Sequence, residues 1–221
     1  MNDSDKDRIL NFLLGNESIS EFEHWLYNTS DLESRIGNEL YFDLIDFNYQ
    51  SNDIIHRLKK TIIDKYITDE EFKTFKYYSI LKKAGWLEGR KIEVKKTGFP
   101  ETINVKHAIK IIEEFGGLSF PSINEVDYWI PSSVDFSESL SIEDMSEYGV
   151  NKNLICFASA DDLNVNLYVD ESNKFYQLDN IASVNLYEYK GYNFEEMMRS
   201  LLGIEDNIDN FRIIGRKYQE P

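Results

Sequence analysis

Apolar residues recur at helical spacing through the first third of the chain. Ile9, Leu10, Leu13 and Leu14 fall on one helical face behind a Ser/Asp-rich start suited to capping. In SISEFEHWLYNTS, Ser18 is followed three residues later by Glu21, a capping box, and Phe22, Trp25 and Leu26 then form an apolar stripe. ELYFDLIDFNY allows a strand or a buried helix through Leu40, Phe42, Leu44 and Phe47, and its helical surroundings favour helix. A further helix from about Ser51 carries Ile54, Ile55, Leu58, Ile62 and Ile63 on one face. The pattern predicts a helical unit of three or four short helices over residues 1–68.

TDEEFKTFKYYSILKKAGW repeats the capping-box signal at Thr68 and Glu71, with Phe72, Phe75, Tyr78 and Leu81 as its stripe. Gly85 stops this helix, and Lys82 and Lys83 suit the negative end of its dipole. After the short extended piece RKIEVKKTGF, a helix runs from about Asn104 to Phe115, with Val105, Ala108, Ile109, Ile112 and Phe115 inward. Beyond Gly117 the period changes from helical to alternating. EVDYWI, LICFA, NVNLYVD and KFYQL read as strands separated by the turn-rich DD, DESN and DN, and ASVNLYEY as an edge strand. NFEEMMRSLLG closes the pattern as a helix capped by Asn193, and the tail after Gly203 reads as only partly ordered. The order predicts an α+β fold, with helices gathered against an antiparallel or mixed sheet over residues 69–221.

Composition narrows the functional classes. Fourteen Phe, fourteen Tyr and three Trp in 221 residues argue for a packed core. No apolar run is long enough to span a membrane, and the polar start MNDSDKDRIL is unlike a signal peptide, so a cytoplasmic protein is expected. The single cysteine, Cys156, lies in the apolar run LICFA and reads as a buried strand residue. Net charge is −16, which disfavours direct binding of nucleic acid or an anionic membrane. The charge is uneven: residues 118–188 hold 13 acidic and 2 basic side chains, whereas residues 69–117 hold 8 acidic and 10 basic. The acidic block points to a basic partner.

Signals of catalysis are weak. His24, His56 and His107 each sit in a predicted helix without a second ligand at metal-binding spacing. No nucleophile elbow or phosphate loop occurs. Gly116 and Gly117 follow a helix, where the dipole is negative and Glu113 and Glu114 add repulsion, so they read as a helix stop in left-handed conformation. Asp161 and Asp162 read as a turn, and no metal or cofactor is expected.

Two motifs then come together: ILKKAGWLEGR, containing Gly85, Trp86, Gly89 and Arg90, and EFGGL, containing Phe115, Gly116 and Gly117. The pairing resembles the SUKH superfamily of immunity proteins, specifically its third subfamily. LYVDESNKFYQL and FEEMMRSLLG match in place, so the resemblance covers roughly residues 72–203. It implies an α+β fold with flanking helices and no catalytic residues. It also implies a bacterial cytoplasmic protein that binds and neutralises a polymorphic toxin, often a nuclease or deaminase. The helical unit at the N-terminus is an addition to that pattern. The motif residues themselves read as structural, with Trp86 packing a helix end onto the sheet and Arg90 pairing with a carboxylate or a helix end. An acidic inhibitor can imitate the polyanion that a nuclease-type toxin holds. The candidate partner-binding residues are therefore Glu125, Asp127, Tyr128, Trp129, Asp135, Glu138, Glu143, Asp144, Glu147, Asp161 and Asp162. The competing reading is a non-catalytic scaffold of the same fold with a cellular client.

Overall fold

The computed structural model describes residues 1–51, 53–121, 127–160, 164–180, 184–191, 193–205 and 211–217. The chain forms two compact units, Met1–Lys76 and Tyr77–Pro221. The predicted three or four helices of the first unit are five: α1 (Asp3–Leu13), α2 (Ile19–Asn28), α3 (Leu32–Ile36), α4 (Asn38–Ile45) and α5 (Ile54–Lys65). The extra helix is α3, which the sequence reading did not assign, and Gly37, at φ 93°, separates it from α4. Ile9, Phe12, Phe22, Leu26, Leu44, Leu58 and Ile62 make its core. Ser18 and Glu21 form the expected capping box at α2. Asp5 is buried and is held by the Arg35 guanidinium, whose Nε lies 2.9 Å from Oδ2, so α1 is tied to α3.

Helix α6 (Asp69–Lys83) crosses the boundary between the units, with Tyr77 and Leu81 in the core of the second. Then follow β1 (Lys95–Thr97), α7 (Lys106–Phe115), β2 (Ser119–Pro121), β3 (Asp127–Trp129) and β4 (Ser133–Asp135). The short α8 (Ile142–Ser146) precedes the strands β5 (Ile155–Ala160), β6 (Val165–Val169), β7 (Phe175–Asp179) and β8 (Val184–Tyr189). Helix α9 (Phe194–Leu201) and strand β9 (Phe211–Lys217) end the described chain. Strands β2-β3-β5-β6-β7-β8-β9 form one antiparallel sheet in that order, and β1 pairs with β4 in a separate parallel pair.

Two features differ from the sequence reading. The tail after Gly203 contributes β9, and β8 is therefore an interior strand rather than an edge. The pairing is set by the open edge of β8, a non-local partner that FRII by itself does not announce.

Opposite faces of the sheet carry separate cores. On one, α7 and α9 pack Ile112, Phe115, Met197 and Met198 against Phe157, Leu167 and Phe175. On the other, Met145 of α8 lies with Leu154, Cys156, Tyr168, Tyr176, Leu178 and Leu186. Burial of Ile111, Ile112 and Phe115 on α7 contributes about 6 kcal/mol by area transfer. The hairpin between β6 and β7 is fixed by Asp170, whose carboxylate accepts from Lys152 Nζ at 2.6 Å, the N–H groups of Ser172 and Lys174, and the Tyr176 hydroxyl.

Candidate partner-binding face

The two glycine-containing motifs interlock. At the end of α6, the Trp86 N–H donates to the Leu81 carbonyl at 2.9 Å and the Gly85 N–H to Lys82 at 3.0 Å. This Schellman closure needs the left-handed φ of 95° that Gly85 adopts. Trp86 stacks on Phe115 at 6.5 Å and 11°, and its indole N–H donates to the Glu114 carboxylate at 3.1 Å. Arg90 donates to the carbonyls of Glu114 and Gly116, both at 2.6 Å. Ile112 accepts from the Gly116 N–H, Glu113 from Ile92 and Phe115 from Leu118, so every carbonyl from Ile112 to Gly116 has a partner. Arg90 thus serves a helix end, where its charge also meets the negative pole of the dipole.

The adjacent glycines do different jobs. Gly117 has the left-handed φ of 79°, whereas Gly116 has φ −58° and ψ 140°. The left-handed reading of both is corrected at Gly116, which is needed for close approach. A Cβ there would stand 2.6 Å from the Ile112 carbonyl oxygen and 2.8 Å from that of Pro131. Gly89, at φ 75°, lies exposed in the turn closed by the Arg90 N–H on the Leu87 carbonyl.

The acidic block sorts by side-chain direction. In β3 the alternation buries Tyr128 (9% exposed) and leaves Trp129 47% exposed, with Asp127 also exposed. Burial, with Asp179 nearby, pushes the Tyr128 hydroxyl up to about 12. Tyr128 is therefore a core residue, and Trp129 is the outward aromatic. Cross-strand partners share a face, and the row Trp129–Ser159–Asn166–Leu178–Leu186 runs into the core under α8. Trp129 and α8 consequently occupy the same side of the sheet. Glu143 and Glu147 are exposed on and just after α8, beside the exposed Ile142, which the sequence reading did not single out. Glu138 is exposed too, and its charge adds to the burial that pushes the Cys156 thiol up to about 12.

Two carboxylates of the block have local duties. Asp135 accepts from the Ser137 N–H at 2.9 Å and its hydroxyl at 2.8 Å, which holds it below the ordinary carboxylate range. Asp144 is likewise held low by the hydroxyl and N–H of Ser141 in the capping box of α8. Glu125, Asp161 and Asp162 lie outside the described residues. The two lysines of residues 118–188 are both committed, Lys152 to Asp170 at 2.6 Å and Lys174 to Glu188 at 3.5 Å. No helix among the described residues is long and apolar enough to cross a membrane.

The family described as SUKH-3 immunity protein matches residues 76–203, more than half of the chain. The chain belongs to the SUKH-3 immunity protein family. The match begins at the last residue of the first unit and takes in both interlocked motifs, the sheet through β8, and α9. Comparison with curated proteins and with solved structures finds no match. Family membership carries an immunity-protein function, with a cognate toxin as partner, and the family is generally non-catalytic.

Proposed function

We propose that this SUKH-3 protein is a cytoplasmic, non-catalytic antitoxin that occludes the basic active-site surface of a nuclease-type toxin with the α8 side of its sheet. The observation that carries the reading is Trp129, 47% exposed on the same side as the outward carboxylates of α8, in a block whose lysines are already spent on Asp170 and Glu188. Such a surface steers a basic partner at long range, and a desolvated indole holds it after contact. Asp127, Trp129, Glu138, Glu143 and Glu147 are its contact residues, together with Glu125, Asp161 and Asp162 of the same acidic block. Asp135 and Asp144 support it by fixing the turns that carry the others. The helical unit of residues 1–68 is a domain of its own, additional to this binding domain.

The test is co-expression with the C-terminal domain of a toxin encoded directly upstream, scored by survival and co-purification. Protection and one-to-one co-purification are expected, and both should fall with Glu143→Lys/Glu147→Lys and with Trp129→Ala. Unchanged protection and affinity in both variants would sink the acidic-face reading.

A further inference from the structure

On the α7 side of the sheet, opposite α8, the acidic molecule has a hollow with more lysines than carboxylates. An open cleft of about 790 Å³ lies between β1 and α7. Ile103, Val105 and Ile109 give it an apolar floor, and Lys96, Lys106 and Lys110 stand around it. Lys106 and Lys110 are one helical turn apart on α7, both exposed, and make no ion pair among the described residues. Glu101 and Glu113 also line the cleft, but Glu113 already faces Lys91 at 3.8 Å. Lys96 belongs to β1, where all three residues Lys95, Lys96 and Thr97 are exposed. Among the described residues β1 has a single strand neighbour, β4, so no strand pairs with its second edge.

We infer that this cleft and the β1 edge together dock an extended acidic polypeptide segment of a partner protein. A strand added to β1 gains main-chain hydrogen bonds, and its alternate side chains reach the lysines or the apolar floor. The chemistry selects this occupant over two others. A second copy pairing β1 with β1 would bring Lys95 and Lys96 against the same lysines, a like-charge contact that costs energy. A nucleic acid has no peptide backbone to complete the strand edge, and a long polyanion would also meet the field of a molecule with net charge −16. A short acidic peptide feels mainly the local lysines, because solvent salt screens charges beyond about 10 Å.

The experiment uses the full chain and a fluorescein-labelled peptide of alternating Glu and Val, followed by fluorescence anisotropy. Saturable binding that weakens with salt is expected. The triple variant Lys96→Glu/Lys106→Glu/Lys110→Glu should weaken it roughly tenfold or more, from three reversed surface charges. The neutral variant Lys106→Gln/Lys110→Gln should weaken it less, and unchanged circular dichroism in both shows that the fold persists. N-methylation of alternate peptide amides should abolish binding, because it removes the strand-edge donors. The inference is overturned if no saturable binding occurs, if the lysine variants bind as well as the native chain, or if the N-methylated peptide binds equally. Tighter binding of oligothymidine than of the peptide overturns it as well. Glu143→Lys/Glu147→Lys should leave this binding intact, so the outcome is separate from that of the acidic-face reading.

Discussion

Replacing Arg90 with alanine removes the side chain that donates to the Glu114 and Gly116 carbonyls at the end of α7, and its cost can be worked out bond by bond. The guanidinium gives one hydrogen bond to the Glu114 carbonyl and one to Gly116, each at 2.6 Å. A hydrogen bond to a charged group contributes ~1.5–3 kcal/mol, and Arg90 is half-buried, so water recovers part of the loss and the low end applies. The two bonds together give about 3 kcal/mol, including the few tenths from a cation at the negative end of the helix dipole. With a urea m-value of ~2 kcal/mol/M, the unfolding midpoint of the second unit should fall by about 1.5 M. Arg90→Lys should recover about half, because one ammonium cannot span both carbonyls in the planar fork geometry. Urea titration followed by circular dichroism gives the midpoint, and hydrogen exchange of residues 106–115 localises the effect to α7. A midpoint within about 0.3 M of the native one, or a lysine variant as stable as arginine, would refute the capping argument.

The remaining predictions concern the glycine pair, the binding face and pH. Gly116→Ala should destabilise by about 3 kcal/mol, the upper range for overpacking, because two of the three crowding atoms are backbone carbonyl oxygens. Gly117→Ala should cost only ~1 kcal/mol, for a left-handed φ in open surroundings, and thermal melts giving the reverse order would contradict the assignment. In toxin-binding kinetics, Glu143→Lys/Glu147→Lys should slow association and flatten its salt dependence, whereas Trp129→Ala should speed dissociation; biolayer interferometry showing the opposite split would count against the face. At alkaline pH, Tyr128 and Cys156 remain neutral in the fold up to about 12, while the unfolded groups ionise from 10 and 9. Stability from both is therefore complete below pH 9 and lost as pH rises toward 12, so urea midpoints should fall over that window and Tyr128→Phe should reduce the fall. At acid pH, burial raises the Asp170 carboxyl, but Lys152 and the N–H groups of Lys174 and Ser172 outweigh it and hold it below 3.8. Its contribution is present above that value and disappears as pH falls through the lower folded value, and Asp170→Asn should blunt the acid loss seen in urea midpoints.

Long periodic elements were legible because their apolar stripes are local. The capping boxes at Ser18, Thr68 and Asn193 and the glycine stop at Gly85 mark boundaries that the structure keeps within a residue or two. Short elements were not. Helix α8 spans five residues and has Asp144 instead of Glu at the third capping position, while β4 is only Ser133–Asp135. Strand β9 depends on the open edge of β8, a partner more than twenty residues away in sequence. The charge count located the acidic block but could not sort its members. Asp135, Asp144 and Asp170 look the same as Glu143 in sequence, and only folding shows that turns and a hairpin use the first three. In the same way, DYW does not say which aromatic faces out until the register with Phe120 and Ser159 is fixed.

The two motifs that carry the family resemblance are committed largely to the fold itself. Trp86 and Phe115 are buried, and Arg90 and Gly116 meet at the end of α7. Their shared task is to join α6, α7 and the sheet into one core. On the acidic-face reading proposed above, partner choice resides in outward positions such as Asp127, Trp129, Glu138 and Glu143, which lie outside the core. Exchanging those side chains should redirect binding without lowering stability, whereas altering Arg90 or Gly116 should lower stability and weaken every surface together. The two outcomes separate the scaffold from the interface, and they make stability measured beside affinity the informative pair for any variant of this protein.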